Sequence, residues 1–338
     1  MRQLTYISDL SPIPFPTPRP RSNRFLSLVD GSNDNMGNHA LDINGFTNTV
    51  TTNNHITNAG SDWYFTVTSV QGAAALIFII LSFYKRRSQR LFYYITAALT
   101  LVSSIAYFAQ GSNLGWTAIQ VEWQRSAADV RGNMRQIFYA RYIDYFITIP
   151  LLLLDLLLWA GLPRPTIAYT ILISEVWVVS TLIAALVKST YKWGFFTFGV
   201  AAYCFVAYTV VFEGLAYARG LGADISRNYL IGSVWVATIW LLYPIAFGVS
   251  EGGNVIAPTS EAVFYGILDI LTKTVFGFFI LWSLRNVELE RLGIHIRDAK
   301  EAELPTSEKA APAASGAEPA PAPTNGVTGA TETPTATV

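Results

Sequence analysis

The chain has 338 residues, 23 basic and 23 acidic side chains that cancel to zero formal net charge, and 51% hydrophobic against 14% charged residues, with a mean hydropathy of +0.35. So apolar a composition excludes an ordinary soluble domain, and the absent basic excess gives a nucleic-acid partner nothing to hold. One cysteine, Cys204, excludes a disulfide framework, and three histidines, His39, His55 and His295, all outside the apolar segments, leave no cluster in the membrane for a metal or a Ser/His pair.

Residues 1–60 are Pro-rich and then Asn-rich, a composition that cannot bury enough apolar surface to offset ordering entropy, so a disordered tail is expected there. Its start is broken by prolines and lacks the apolar core of a cleaved signal peptide, which leaves the first apolar segment to direct insertion. Segments of about 20 apolar residues then recur seven times, at 63–84, 91–109, 137–162, 166–187, 193–217, 229–249 and 262–284. Only helices satisfy their own backbone in such segments, so the fold class is an all-α membrane protein, a seven-transmembrane-helix bundle over 61–290. Lys85, Arg86, Arg87 and Arg90 after the first segment, and Arg285, Arg291, Arg297 and Lys300 after the last, place those ends in the cytoplasm; the N-terminus is then outside. Lys188 and Lys192, between the fourth and fifth segments, are a sparser cluster of opposite implication. Residues 291–338, rich in Ala, Pro and Thr after Glu301, are expected to form a mostly disordered cytoplasmic tail.

The third segment reads ARYIDYFITIPLLLLDLLLWAG from Ala140, with Arg141, Asp144, Thr148 and Asp155 as its polar positions. At about 100° per residue, Asp144 and Thr148 differ by about 40° and Asp144 and Asp155 by about 20°, so the polar groups form one stripe. Eleven residues at about 1.5 Å each separate the two aspartates by about 16 Å, roughly half the hydrocarbon thickness, which is a relay spacing and too far for a shared proton. Arg141, one turn from Asp144, can compensate its charge, whereas Asp155 sits among leucines that favour its protonated form. One carboxyl is suited to accept a proton and the other to donate one. Polar glue between helices is the alternative role for Asp155. In the fifth segment, Cys204 reads as a small packing residue.

The seventh segment contains Lys273 four residues after Asp269, on the same helical face. A lysine in hydrocarbon calls either for a partner charge or for a reaction such as imine formation with an aldehyde, for which Asp269 would be a built-in counterion. Taken alone, the pair is equally a structural ion pair.

With these residues in view, the chain resembles the microbial (type 1) rhodopsins over about 63–290, most of all their fungal branch and the bacteriorhodopsin-like proton pumps. Arg141-Tyr142-x-Asp144-x-x-x-Thr148-x-Pro150 through Asp155 resembles helix C of those pumps, Leu268 to Lys273 the retinal-binding end of helix G, and Trp240-Leu-Leu-Tyr243-Pro244 the helix F element that packs on retinal. The resemblance implies all-trans retinal on Lys273 as a protonated Schiff base, with Asp144 and Asp269 as a double counterion and Arg141, Tyr243 and Tyr107 completing the cage. It further implies Asp144 as proton acceptor and Asp155 as donor, a retinal pocket that includes Tyr145, Pro150, Trp240, Phe196 and Phe247, and Glu251 with Glu261 as the proton-release pair. The last two are alternatively solvated loop charges.

The family pattern also discriminates ions. An uncharged residue at position 144 marks chloride pumps, an Asn/Asp/Gln set marks sodium pumps, and sensory members usually lack the carboxylate at 155. The expected function is therefore a light-driven outward proton pump, a transporter and not an enzyme, with a retinal photosensory receptor as the alternative; a seven-helix receptor or carrier without retinal must explain Lys273 and Asp269 otherwise. Expected partners are the lipid bilayer, protons and a second copy in a homo-oligomer, and the expected site is the plasma membrane. Several positions depart from the pattern: Tyr145, Phe196 and Phe247 stand where tryptophans are common, and Ile149 replaces a threonine that would partner Glu175, itself expected to be buried, protonated and hydrogen-bonded to a neighbouring helix.

Overall fold

A computed structural model describes residues 39–44, 52–121 and 133–296 of the chain. The described residues form a short helix α1 (His39–Ile43) and seven long apolar helices: α2 (Asn58–Phe83), α3 (Leu91–Gly111), α4 (Tyr139–Trp159), α5 (Arg164–Leu186), α6 (Lys192–Gly220), α7 (Ala223–Gly252) and α8 (Pro258–Ser283). Each of the seven is long and apolar enough to cross a bilayer, which makes the chain a multi-pass integral membrane protein. Large apolar side chains such as Leu76, Ile80, Phe198, Phe212 and Trp282 are exposed around the bundle, while its polar side chains are turned inward. That inversion suits a lipid solvent, which rewards burial of polar groups.

The helix ends shift from the sequence estimate for physical reasons. Helix α7 starts at Ala223, several residues before its apolar run, because Gly222 at φ 123° breaks the chain there and Asp224, Ser226, Arg227 and Asn228 make its first two turns polar. Helix α4 starts at Tyr139 because the preceding residues belong to a hairpin not expected from the sequence, β1 (Thr117–Gln120) antiparallel to β2 (Met134–Ile137). Ile137 and Phe138 are apolar in strand and helix alike, so hydropathy merges them.

The expectation of a disordered tail up to residue 60 is corrected in part. His39–Ile43 is helical, and residues 52–57 pack on the hairpin: Ile56 is 2% exposed, the Asn54 amide donates to the Met134 carbonyl at 3.1 Å, and the Ile56 amide donates to Gln136 Oε1 at 2.9 Å. Residues 1–38, 45–51 and 297–338 of the two expected tails lie outside the described residues.

Three helices contain π-helical turns, at Thr209–Glu213 in α6, Gly248–Gly252 in α7 and Ile270–Val275 in α8. A wider turn disturbs the backbone ladder, and each one offers a carbonyl to a donor from elsewhere. Tyr229 Oη donates to the Val210 carbonyl at 2.6 Å, Lys192 Nζ to that of Glu251 at 3.1 Å, and Trp235 Nε1 to that of Leu271 at 3.3 Å. Gly214 is what lets Tyr229 in, since a Cβ there would lie 2.0 Å from its hydroxyl.

Gly115 joins α3 to β1 at φ +70°, and a Cβ on it would lie 2.6 Å from the Cβ of Ala140, whose amide donates to the Gly115 carbonyl at 3.0 Å. Gly115→Ala therefore incurs both the left-handed backbone cost of about 1–2 kcal/mol and a clash. Gly194 has open space around its Cβ position. In thermal unfolding of the detergent-solubilised protein, Gly115→Ala should lower the midpoint and Gly194→Ala should not; equal midpoints would contradict this account of the turn.

Candidate functional site

The site is built where α3, α4, α7 and α8 converge. Lys273, in the π turn of α8, is 3% exposed. Its Nζ lies 2.5 Å from Asp144 Oδ2 of α4, 3.4 Å from Asp269 Oδ2 of its own helix and 3.0 Å from Ser103 Oγ of α3. Ser103 in turn lies 3.3 Å from Asp144 Oδ2, closing a triangle around the ammonium group. Asp269 is held from its other side by the hydroxyls of Tyr107, at 2.7 Å, and Tyr243. Two buried carboxyl groups thus share one buried ammonium; both oxygens of Asp269 are hydrogen-bonded, whereas Asp144 Oδ1 has no partner among the described residues.

A cavity opens from Lys273 between α4, α5, α6 and α7. Tyr145, Trp240, Tyr243 and Phe196 line it, as do Thr148, Ile149 and Trp177. Trp177 meets Trp240 edge to face at 5.6 Å, and the Tyr145 ring centroid lies 5.2 Å from Lys273 Nζ. Two residues expected in the pocket, Phe247 and Pro150, do not line this cavity, and Tyr107, expected to complete the cage, stands outside its lining. Phe247 stacks behind Phe196 at 5.2 Å, Pro150 is the proline inside α4, and Tyr107 faces Asp269. The Thr148 hydroxyl donates to the carbonyl of Asp144, 2.8 Å away, instead of to its carboxyl group.

Asp155, farther along α4, is 1% exposed. Its Oδ2 accepts from Thr96 Oγ1 of α3 at 3.1 Å, and its Oδ1 has no partner among the described residues. Leu152, Leu153, Leu156 and Leu157, all buried, surround it along the helix.

At the hairpin end, Arg141 does not turn to Asp144. Its Nη1 reaches Glu261 at 2.6 Å and Glu251 at 3.2 Å, its Nη2 reaches the Tyr64 hydroxyl at 3.1 Å, and its guanidinium carbon sits 4.0 Å over the Tyr265 ring. The expected compensation of Asp144 by Arg141 is thus replaced by Lys273. Glu251 and Glu261 are 4% and 1% exposed, so neither is a solvated loop charge. Glu251 also accepts from the Tyr142 hydroxyl, and Glu261 from Arg135 Nη2 at 2.6 Å.

Two further expectations are corrected. Glu175 is half-buried with Oε2 lacking a hydrogen-bond partner among the described residues, so the expected bond to a neighbouring helix is absent at that oxygen. Cys204 is exposed on the outer face of α6 and packs no core. Sequence reasoning missed Ser103, Thr96, Arg135, Tyr64 and Trp177. Thr96, Thr100, Ser103 and Tyr107 follow one another at steps of four, three and four residues, a helical stripe that was open to view.

Tyr107 and Tyr243 donate to the two different oxygens of Asp269, so each hydroxyl keeps a different lone pair satisfied. Tyr107→Phe and Tyr243→Phe should each cost about 1.5–3 kcal/mol of stability as hydrogen bonds to a charged group. The double variant, leaving Asp269 with one weak ammonium contact, should cost more than the sum. Denaturant unfolding of the four proteins checks this, and additivity within about 0.5 kcal/mol would mean the hydroxyls act independently.

The Bacteriorhodopsin-like protein family matches residues 58–287, the whole bundle. The Opsin-like protein carO of Fusarium fujikuroi is 50% identical over 269 residues, covering 79% of this chain and 88% of its own. Among solved structures, the light-driven proton pump LR (Mac) from Leptosphaeria maculans is 32% identical with a TM-score of 0.66, covering 69% of this chain and 99% of its own. Halorhodopsin, a light-driven chloride pump, aligns with a TM-score of 0.64 at 25% identity, covering 70% of this chain and 98% of its own, so the shared bundle alone does not select an ion. Both family match and relatives cover the spans that assemble around Lys273, and the chain belongs to the bacteriorhodopsin-like family, with fungal opsins among its relatives.

Proposed function

We propose that this protein is a light-driven outward proton pump using all-trans retinal on Lys273. Members of the family bind retinal, and the site fits it. The cavity is apolar and walled by Trp177, Trp240, Tyr145 and Phe196, and it ends at one buried amine with a counterion in place. When bound, retinal supplies light-driven isomerisation and holds its positive charge at the Lys273 nitrogen. The observation that carries the reading is the pairing of Lys273 with Asp144 on the same helix that bears a second, isolated buried carboxyl at Asp155.

In this reading the residues divide the work. Asp144, 2.5 Å from Lys273 Nζ, accepts a proton at Oδ2, while Asp269, held by Tyr107 and Tyr243, remains the fixed anion. Asp155 returns a proton to the same nitrogen from the other side, across about 16 Å of α4. Its leucine surroundings hold the proton until it is needed, and Thr96 orients it. Arg141, Glu251 and Glu261 pass a proton to the medium. With the N-terminus outside, as the cluster Lys85, Arg86, Arg87 and Arg90 indicates, the direction is outward. Carboxyls at both 144 and 155 favour protons over chloride and pumping over pure sensing.

Illumination of cells that express the protein with retinal should acidify the medium, and a protonophore should abolish the change. Lys273→Ala should give no visible band with retinal. Asp144→Asn should absorb at longer wavelength, because the charge stabilising the cation is gone, and should transport at less than about a hundredth of the wild-type rate. Alkalinisation, or an Asp144→Asn protein pumping at the wild-type rate, would refute the assignment.

Asp155→Asn separates pump from sensor. Colour and the first proton transfer should be nearly unchanged, whereas the return to the ground state should slow by about 10²-fold as an internal general acid is lost. That return should become strongly pH-dependent and be accelerated by azide, which carries protons from bulk water. Flash photolysis checks this; decay matching wild type would make Asp155 a structural residue and favour the photosensory receptor.

A further inference from the structure

We infer that Arg135 is a positioning residue that fixes Glu261 as the permanent anion of the carboxyl pair near the hairpin, leaving Glu251 as the member that holds and releases the transported proton. The inference deepens the pumping reading and rests on it. Its basis is an asymmetry between two carboxyl groups that sequence alone treats as equivalent. Both oxygens of Glu261 carry a guanidinium, Arg135 Nη2 on Oε2 and Arg141 Nη1 on Oε1, each at 2.6 Å. Glu251 shares that same Arg141 nitrogen at 3.2 Å and otherwise meets a neutral phenol, the hydroxyl of Tyr142. Two short charge-assisted contacts hold one carboxylate ionised, and one long shared contact plus a phenol do far less for the other.

The other groups facing this cluster do not restore the balance. Tyr64 accepts from Arg141, the Tyr265 ring lies against the same guanidinium, and Lys192 reaches the Glu251 main-chain carbonyl at 3.1 Å. The asymmetry therefore depends on Arg135, and Arg135 is anchored from three segments. It sits in β2, and its Nη1 donates at 2.7 Å both to Asn254 Oδ1 and to the Ile256 carbonyl between α7 and α8. Asn54, bridged to Arg135 along the backbone, donates to the same Asn254 oxygen at 3.1 Å. A guanidinium tied down in this way cannot follow a negative charge from one glutamate to the other. Arg141, shared between them, can. In each cycle Glu251 gives its carboxyl proton to the medium, its electron pair staying on the carboxylate, and regains one proton from the interior.

The test uses full-length protein with retinal in lipid nanodiscs and reads the C=O stretch of protonated carboxyl groups by infrared difference spectroscopy. In the dark, comparison with wild type should show one such band lost in Glu251→Gln and kept in Glu261→Gln. Arg135→Gln should move the band's assignment, so that Glu261→Gln made in that background now removes carboxyl intensity. Arg135→Lys, which keeps the charge, should restore the wild-type pattern. With a pH-sensitive dye under flash excitation, early proton release should be lost in Arg135→Gln and regained in Arg135→Lys. A band that follows Glu261 in the otherwise wild-type protein overturns the inference, and the single glutamate variants decide that even if Arg135→Gln does not fold. Absence of light-driven acidification with the Glu251 band in place would sink the pumping reading alone, whereas acidification with a Glu261 band would sink this inference alone.

Discussion

An ammonium group buried among seven apolar helices is tolerable only if matched, and the contact between Lys273 and Asp144 is the match on which the site depends. It ties α8 to α4 across the middle of the bundle. Ser103 and Asp269 complete the matching, and Tyr107 and Tyr243 complete Asp269. Because the second carboxyl is already saturated by two phenols, the first takes the short contact. The two carboxyls differ through their hydrogen bonds, not through separation along the chain, and the roles proposed for them follow that difference.

The same pair divides the molecule into unlike halves. Toward the hairpin lies a dense charged cluster of two arginines and two glutamates, closed over by residues 52–57, β1 and β2. On the other side of the pair Asp155 and Thr96 are set among buried leucines. Polar groups in the first half are linked by a short chain of contacts, whereas ionising a carboxyl in the second half carries the cost of burying a charge among apolar side chains. Directional transport needs such a difference between the two sides, and the bundle carries it without any moving part having to be named.

Much of this was legible in the sequence. Seven continuous apolar runs fix the architecture because runs of that length satisfy their backbone in lipid as helices, and the stripe from Arg141 to Asp155 follows from helical spacing. What escaped was set by tertiary contacts. The direction of Arg141 depends on where Glu251 and Glu261 fold, and a long guanidinium three residues from Asp144 reaches either way. Arg135 lies outside every apolar segment, in a hairpin that hydropathy does not register, so its role is invisible until β2 is placed beside α8. Cys204 looked internal because the fifth segment is apolar on all sides, which gives periodicity nothing to distinguish lipid from core.

The π turns carry a consequence for how such helices can vary. Each wider turn spends one extra residue, so the side chains beyond it are rotated by about 100° relative to an uninterrupted helix. In α8 the turn falls at Ile270–Val275, so Asp269 and the residues before it answer to one set of neighbours, and Phe276 to Ser283 to another. Deleting a single residue within that stretch would straighten the helix and swing one half out of phase, taking either Lys273 from its carboxyls or the following aromatic face from its lipid. The helix that anchors the chemistry is therefore constrained in its residue count as well as in its side chains.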